Sequence, residues 1–359
     1  MPLSAPVTVH VKNRILLLPL FLLLTSTFAR AQQEIRFGVM GLFHPQEFSL
    51  AQENNRVLSV TAQGLGGSLA HILNGEPGQR QIVFRADGNN VVAGSRSAVS
   101  WTASARDGSA VAFRLTVPGK LSRVYWGRLT IQAHKGELVA VVAMDRETAV
   151  ASIVAAEMLD SAPIEALKAQ AIATRSFLTA GPQHNEFDFC DTTHCQFLKS
   201  PPPPAGRVAK AVEATQGLIL AYRGKPVAAM YSSRCGGQTH SLRDVGIEPA
   251  DADPYYAVPC AWCQKHLFTW KSRIGSAQAP HPSDERLRIA EARQWGWSAI
   301  PGSDFTATEE GKGWQLQGHS LGHGVGMCQY GAIGMAESGA SFREILSHYY
   351  PNTSLVSQP

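Results

Sequence analysis

Glu157, Lys168 and Arg175 are residues whose types and spacing suit acid–base chemistry. A glutamate can hand a proton to a leaving group and take one from a nucleophile. Lys168 and Arg175 stand seven apart, so two helical turns bring them onto nearly one face. A glutamate at an elbow between two helices, facing a lysine and an arginine, makes an acid–base site. A solvated salt-bridge network would use the same residues, and exposed pairs of that kind contribute little.

A second cluster reads as a metal site. His184, Cys190, His194 and Cys195 lie within twelve residues, and two thiolates with two imidazoles make a closed tetrahedral Zn²⁺ site. The same spacing allows a Cys190–Cys195 disulfide beside two surface histidines. The chain has six cysteines, which would allow about 15 pairings if all were oxidised. Cys260-Ala-Trp-Cys263 is a C-x-x-C that could be redox-active, a tight disulfide or half a metal site; it lacks βαβ context, and a structural disulfide is expected. Cys235-Gly236-Gly237, with His319 or His323 elsewhere, permits a thiol-hydrolase reading. The run Gly318 to Gly331 carries five glycines. These let backbone approach closely to itself or to a ligand, and His319 and His323 within the run are expected to line a cleft.

These residues need elements to hold them. Residues 34 to about 144 read as short strands: Glu34 to Val39, Gln81 to Arg85, Val111 to Val117 and Leu138 to Met144, punctuated by Asp-Gly turns. A weak helical pattern covers Ser68 to Leu73. From Arg146 the apolar period becomes helical, with one helix to Met158. A second opens at Pro163, where the missing N–H costs nothing, and carries Ile164, Leu167, Ala171, Thr174 and Phe177 on one face. Gly181-Pro182 stops it. Arg207 to Thr215, Glu285 to Trp295 and Phe342 to Tyr349 read as further helices. Leu218 to Tyr222 and Val227 to Ser232 read as strands. The predicted class is α+β: a β-rich part over 32–125, then a mixed helix and strand domain over 126–356.

The 359 residues hold 44% hydrophobic side chains, enough for a sizeable core. The net charge is +4. Lys12, Arg14 and Arg30 lie in an acid-free leader, and without them the 32 basic residues come close to balancing 28 acidic ones. A basic nucleic-acid-binding surface is therefore disfavoured. Lys12 and Arg14, the aliphatic run Ile15 to Leu24, and Ala29-Arg30-Ala31 read as a signal peptide with cleavage expected after Ala31, the alternative being a membrane anchor that stays attached. No later run is long enough to span a bilayer. The mature chain is expected in the periplasm or cell envelope, where disulfides are allowed.

Three separated motifs, in order, resemble the stage II sporulation protein D (SpoIID/LytB) family. They are Ala155-Ala156-Glu157-Met158 with Pro163 to Phe177, Tyr231 to Thr239, and Gly322 to Met327 followed by Gly331 through Tyr350. The resemblance runs from about Trp126 to Tyr350. It implies a SpoIID-type catalytic domain and a peptidoglycan lytic transglycosylase. Such an enzyme cleaves the MurNAc–GlcNAc β-1,4 bond of glycan strands, already stripped of peptides, to 1,6-anhydro-MurNAc ends. The family's glutamate falls on Glu157, and its lysine and arginine on Lys168 and Arg175. Tyr231, His323, Gln329 and Tyr330 are expected to contact the substrate. The family's zinc ligands match His184, Cys190, His194 and Cys195. Where the family often has serine after Gly-Met, this chain has Cys328. Stimulation of a cell-wall amidase is a further role linked to the LytB branch.

The acid role requires that Glu157 be largely desolvated and that Lys168 and Arg175 not both pair with it directly; they are expected instead to hold the muramyl lactate carboxylate or to order neighbouring backbone.

Overall fold

A computed structural model describes residues 34–53, 56–63, 69–73, 81–245, 255–275, 280–281 and 285–358. The expected signal peptide, residues 1–31, lies outside the described residues. Residues Gln33–Pro359 form one compact unit.

The first half is built of strands, in chain order β1 (Glu34–Val39), β2 (Glu47–Gln52), β3 (Leu58–Gln63), β4 (Leu69–Leu73), β5 (Gln81–Asp87), β6 (Asn90–Ala93), β7 (Arg96–Ala98), β8 (Ser100–Ala105), β9 (Val111–Val117), β10 (Leu121–His134) and β11 (Glu137–Asp145). Alternation of buried and exposed residues is clear in β3 and β9, as expected of strands buried on one face. The segment read as weakly helical forms β4 instead, antiparallel to β3. A five-residue apolar run has too few residues to choose a period, and pairing decides.

The long strand β10 organises this half. Its start pairs with β9, while its end pairs with β11 on one side and β8 on the other. The switch falls at Gly127, where a Cβ would lie 2.6 Å from the Ala143 carbonyl oxygen. The 125/126 point that divides the two parts in the sequence thus lies inside β10. Phe84 of β5 meets Trp101 of β8 edge to face, 5.7 Å between ring centres. The indole N–H of Trp101 donates to Val91 O, so the largest core side chain leaves no polar atom unpaired.

Helices α1 (Arg146–Glu157) and α2 (Ile164–Ala180) follow. Asp145 caps α1 by accepting from Thr148 N–H at 2.9 Å. Met158 is extended and ends the helix. Pro163 opens α2 as the sequence requires. Alanines 166, 169, 171 and 173 of α2 are fully buried; their small size lets neighbouring helices close on it. Then come β12 (Phe189–Cys190), α3 (Arg207–Ala214), β13 (Leu218–Tyr222), β14 (Lys225–Pro226), β15 (Tyr231–Ser232), α4 (Ala261–Lys265), β16 (Trp270–Ile274), α5 (Glu285–Trp295), β17 (Phe305–Glu310), β18 (Gly313–Gly318), β19 (Met327–Cys328), α6 (Gln329–Glu337), α7 (Phe342–Tyr349) and β20 (Ser354–Ser357). Strand β12 extends the large sheet by pairing parallel to β1. Strands β16, β18 and β17 form a small sheet with its own core of Trp270, Ile274, Ile300, Phe305 and Leu316. The fold is α+β. No helix among the described residues is long and apolar enough to cross a membrane.

Candidate active site

Glu157 is the last residue of α1 and half-buried. It lines an open cleft of about 320 Å³ together with Ser161, Pro163, Ser233, Gln329, Tyr330, Ile333 and Glu337. Gln329, the first residue of α6, donates from Nε2 to Glu157 Oε2 at 3.1 Å. The same amide donates to Gln170 Oε1 at 3.3 Å, and Gln170 Nε2 donates to Thr174 Oγ1 at 3.3 Å. This buried chain fixes the Gln329 amide with its NH₂ towards Glu157. Tyr231, adjacent to the chain, donates from its hydroxyl to Gln196 Oε1.

Burial holds the Glu157 carboxyl above the ordinary glutamate range. The Gln329 amide, the Phe197 backbone N–H and the Lys199 charge pull the other way without reversing it. Neither Lys168 nor Arg175 touches Glu157. Lys168 Nζ pairs with Glu165 Oε1 at 2.7 Å and lies 5.7 Å from the Phe342 ring centre. Arg175 is fully buried and spends its donors on structure. It forks onto Glu147 at 2.8 and 2.7 Å and donates to the carbonyls of Thr215, Leu218 and Val212. Both cations stand off the Glu157 carboxyl, and Arg175 orders neighbouring backbone instead. Arg175 braces the first turn of α1 against the end of α3, and Glu157 sits at the far end of that helix.

Of the four expected substrate contacts, Gln329 and Tyr330 line the cleft. Tyr231 is buried, and its phenol is held far above the ordinary range by burial. His323 Nδ1 accepts from Val325 N–H at 3.0 Å, and burial lowers the imidazole to about 4, so it is neutral at physiological pH. Neither Tyr231 nor His323 lines the Glu157 cleft, and both serve the packing behind it. His319 lies elsewhere, 3.0 Å from Asp304 Oδ2 in a separate cleft. The guanidinium of Arg234 covers the Tyr330 ring at 3.5 Å, a cation–π pair that fixes the ring.

Sequence reasoning missed Gln170, Thr174 and Glu337. Gln170 and Thr174 stand four apart on an otherwise apolar helix face, a polar pair with no solvent to face. Glu337 is an exposed second carboxylate on the cleft rim.

The four metal-type donors of His184, Cys190, His194 and Cys195 converge, all within 4.8 Å of one another. His184 Nε2 lies 3.2 Å and His194 Nδ1 3.3 Å from Cys195 Sγ. The donor set and its spacing fit a tetrahedral S₂N₂ site. The two thiols lie close enough to titrate as a pair, which lowers Cys190 and raises Cys195. Two residues beyond Cys195, Phe197 reaches Glu157. Cys235 is buried among the sulfurs of Cys260, Cys263 and Cys328. The group contains no imidazole, and it is His319 rather than His323 that shares a cleft with Cys235. All six cysteines are free thiols, so Cys260 and Cys263 do not form the expected disulfide.

A family model described as SpoIID, stage II sporulation protein, matches residues 134–222. That span holds α1, α2, Glu157 and the four-donor cluster. An uncharacterized protein of Brachyspira hyodysenteriae is 29% identical over 269 residues, covering 65% of this chain and 72% of its own length. Stage II sporulation protein D of Bacillus amyloliquefaciens is 28% identical over 257 residues, covering 58% and 73%.

Residues 134–222 carry the SpoIID family domain.

A protein of Bacillus subtilis named amidase enhancer is 25% identical over 280 residues, covering 56% of this chain and 39% of its own length. These relationships give this SpoIID protein a cell-wall-related function.

Proposed function

We propose that this SpoIID protein is an exported peptidoglycan lytic transglycosylase with Glu157 as its single acid and base. The observation that carries the reading is a half-buried carboxyl in an open cleft, its protonated form favoured by burial and its orientation held by Gln329.

Protonated Glu157 would donate to the glycosidic oxygen as the bond from C1 of the muramic sugar breaks. The resulting carboxylate would accept the proton of the C6 hydroxyl as its oxygen bonds to C1. No water is consumed, and the proton lost in the first step is recovered in the second. Hydrolytic glycosidases usually need a second carboxylate. Here the nucleophile belongs to the substrate, and its proximity takes that place. Tyr330, stiffened by Arg234, lines the cleft that a sugar would enter. Zn²⁺ held by His184, Cys190, His194 and Cys195 would be structural, since four protein ligands leave no position for water. It would fix the segment that brings Phe197 to Glu157.

The test is a digest of peptide-free and peptide-bearing glycan strands, read by mass spectrometry beside Glu157→Gln. Anhydromuramyl ends from the native chain alone support the reading. The relative named amidase enhancer supports a second: a non-catalytic cell-wall binding protein that stimulates a partner amidase. Folded, metal-replete protein that cuts neither substrate but accelerates an amidase would decide for that one.

A further inference from the structure

The C-x-x-C motif and two distant cysteines meet in a place the Glu157 chemistry does not use. Cys235, Cys260, Cys263 and Cys328 are all buried, and their sulfurs lie within 4.8 Å of one another. Cys263 and Cys328 approach to 3.6 Å. A tetrahedron with Zn–S of about 2.3 Å has S···S edges of about 3.8 Å. Two independent disulfides need only two close pairs at about 2.05 Å. They give no reason for all four sulfurs to share one group, whereas tetrahedral coordination requires it.

The surroundings suit thiolates. Gly331 N–H points at Cys328 Sγ at 3.3 Å, from the first turn of the nine-residue α6, where the helix dipole favours negative charge. The Tyr349 hydroxyl lies 3.4 Å from Cys260 Sγ. A Cβ at position 331 would stand 2.6 Å from Cys260 Sγ, so glycine there is what lets α6 close on the sulfur. Hydrogen bonds of this kind orient ligands around a metal. The ligands come from three separate places: the loop after β15, the start of α4, and β19. Parallel pairing of Tyr231 with Met327 and Ser232 with Cys328 brings the first and last together.

The geometry points to a second metal centre: a structural Zn²⁺ held by the thiolates of Cys235, Cys260, Cys263 and Cys328. Four protein sulfurs close the coordination sphere, so the ion cross-links and has no catalytic position. It would tie together segments up to 93 residues apart in sequence. This assignment does not depend on the transglycosylase reading, because its test reads metal and sulfur rather than activity.

Zinc per chain is measured by elemental analysis on the full chain, purified without chelator, beside the double variant Cys260→Ser/Cys263→Ser. The variant is expected to lose about one equivalent relative to the native chain. Should the variant fail to fold, Co²⁺ replacement in the native chain gives the answer. Six coordinating thiolates should give a thiolate-to-metal absorption about three times that of the two thiolates in the His184 cluster alone. Intact mass adds a third readout, since the proposed centre retains four reduced thiols after the metal is removed. An unchanged zinc content in the folded variant overturns the proposal. So does an absorption that accounts for two thiolates, or a native mass lower by four hydrogens with no metal bound. Iron in place of zinc overturns the identity of the ion.

Discussion

Gln329 donates to Glu157 at 3.1 Å from the residue immediately after Cys328. Phe197 reaches the same carboxyl from two residues after Cys195. Each arm that orients Glu157 therefore leaves a cysteine cluster, one S₂N₂ and one S₄ in donor type. The carboxyl itself is delivered by the end of α1, whose first turn is clamped by Arg175. Three rigid supports converge on one oxygen-bearing group. A proton donor that must stay within hydrogen-bonding reach of a moving sugar oxygen needs that kind of support.

The raised carboxyl makes a prediction about pH. If the protonated form starts the reaction, glycan cleavage falls as pH rises through the Glu157 value, which burial places above the ordinary 4.5. Glu157→Gln should lose about 10²- to 10⁴-fold at acid pH, with the ratio narrowing as pH rises. The check is the initial rate of anhydromuramyl product between pH 4 and about 9. A rate that climbs across that range would count against the acid role.

The same burial has a sign in stability. A carboxyl raised by folding binds its proton more tightly in the native state. Its contribution is fully favourable below the unfolded value of 4.5 and is lost as pH rises through the folded value. Glu157→Gln removes a buried charge at alkaline pH and nothing at acid pH. The variant should therefore melt higher than the native chain at alkaline pH, with the difference closing on acidification. Calorimetry at several pH values reads it directly.

Gln329→Leu keeps the volume and deletes the donor. The carboxylate then loses a stabilising hydrogen bond, so the Glu157 value moves further up. The alkaline limb of the activity profile should shift to higher pH, and the maximal rate should fall about tenfold as the carboxyl loses its orientation. Loss of rate without movement of the limb would mean that Gln329 only packs. Gln170→Leu should give a weaker version of both effects, since Gln170 acts through Gln329.

Much of the frame was legible in the sequence. The α1–α2 hairpin follows from its apolar period and Pro163, both local features. The four-donor cluster was legible because its ligands lie within twelve residues. The partner of Arg175 was not. Glu147 lies 28 residues earlier, and only the packing of α1 on α2 brings it near. Sequence spacing could align Lys168 and Arg175 on one helix face but could not say what that face meets. The four-cysteine group was hidden for a related reason. The strands that assemble it, β15 and β19, are two residues each, too short to carry a period.

Arg175 gives the sharpest separation of scaffold from chemistry. Its guanidinium is fully buried and all its partners are structural. Arg175→Met leaves Glu147 without its partner and strips three carbonyls of donors, a cost of about 3–5 kcal/mol. Arg175→Lys retains the charge but not the fork, and should cost less. Both variants should lower the melting temperature in that order. The surviving folded fraction should cut glycan with kcat/KM close to native, because no bond to Glu157 is broken. A catalytic arginine would give the opposite pattern: an intact melting temperature and a lost rate. Thermal denaturation and activity per folded molecule, measured on the same two variants, distinguish the cases.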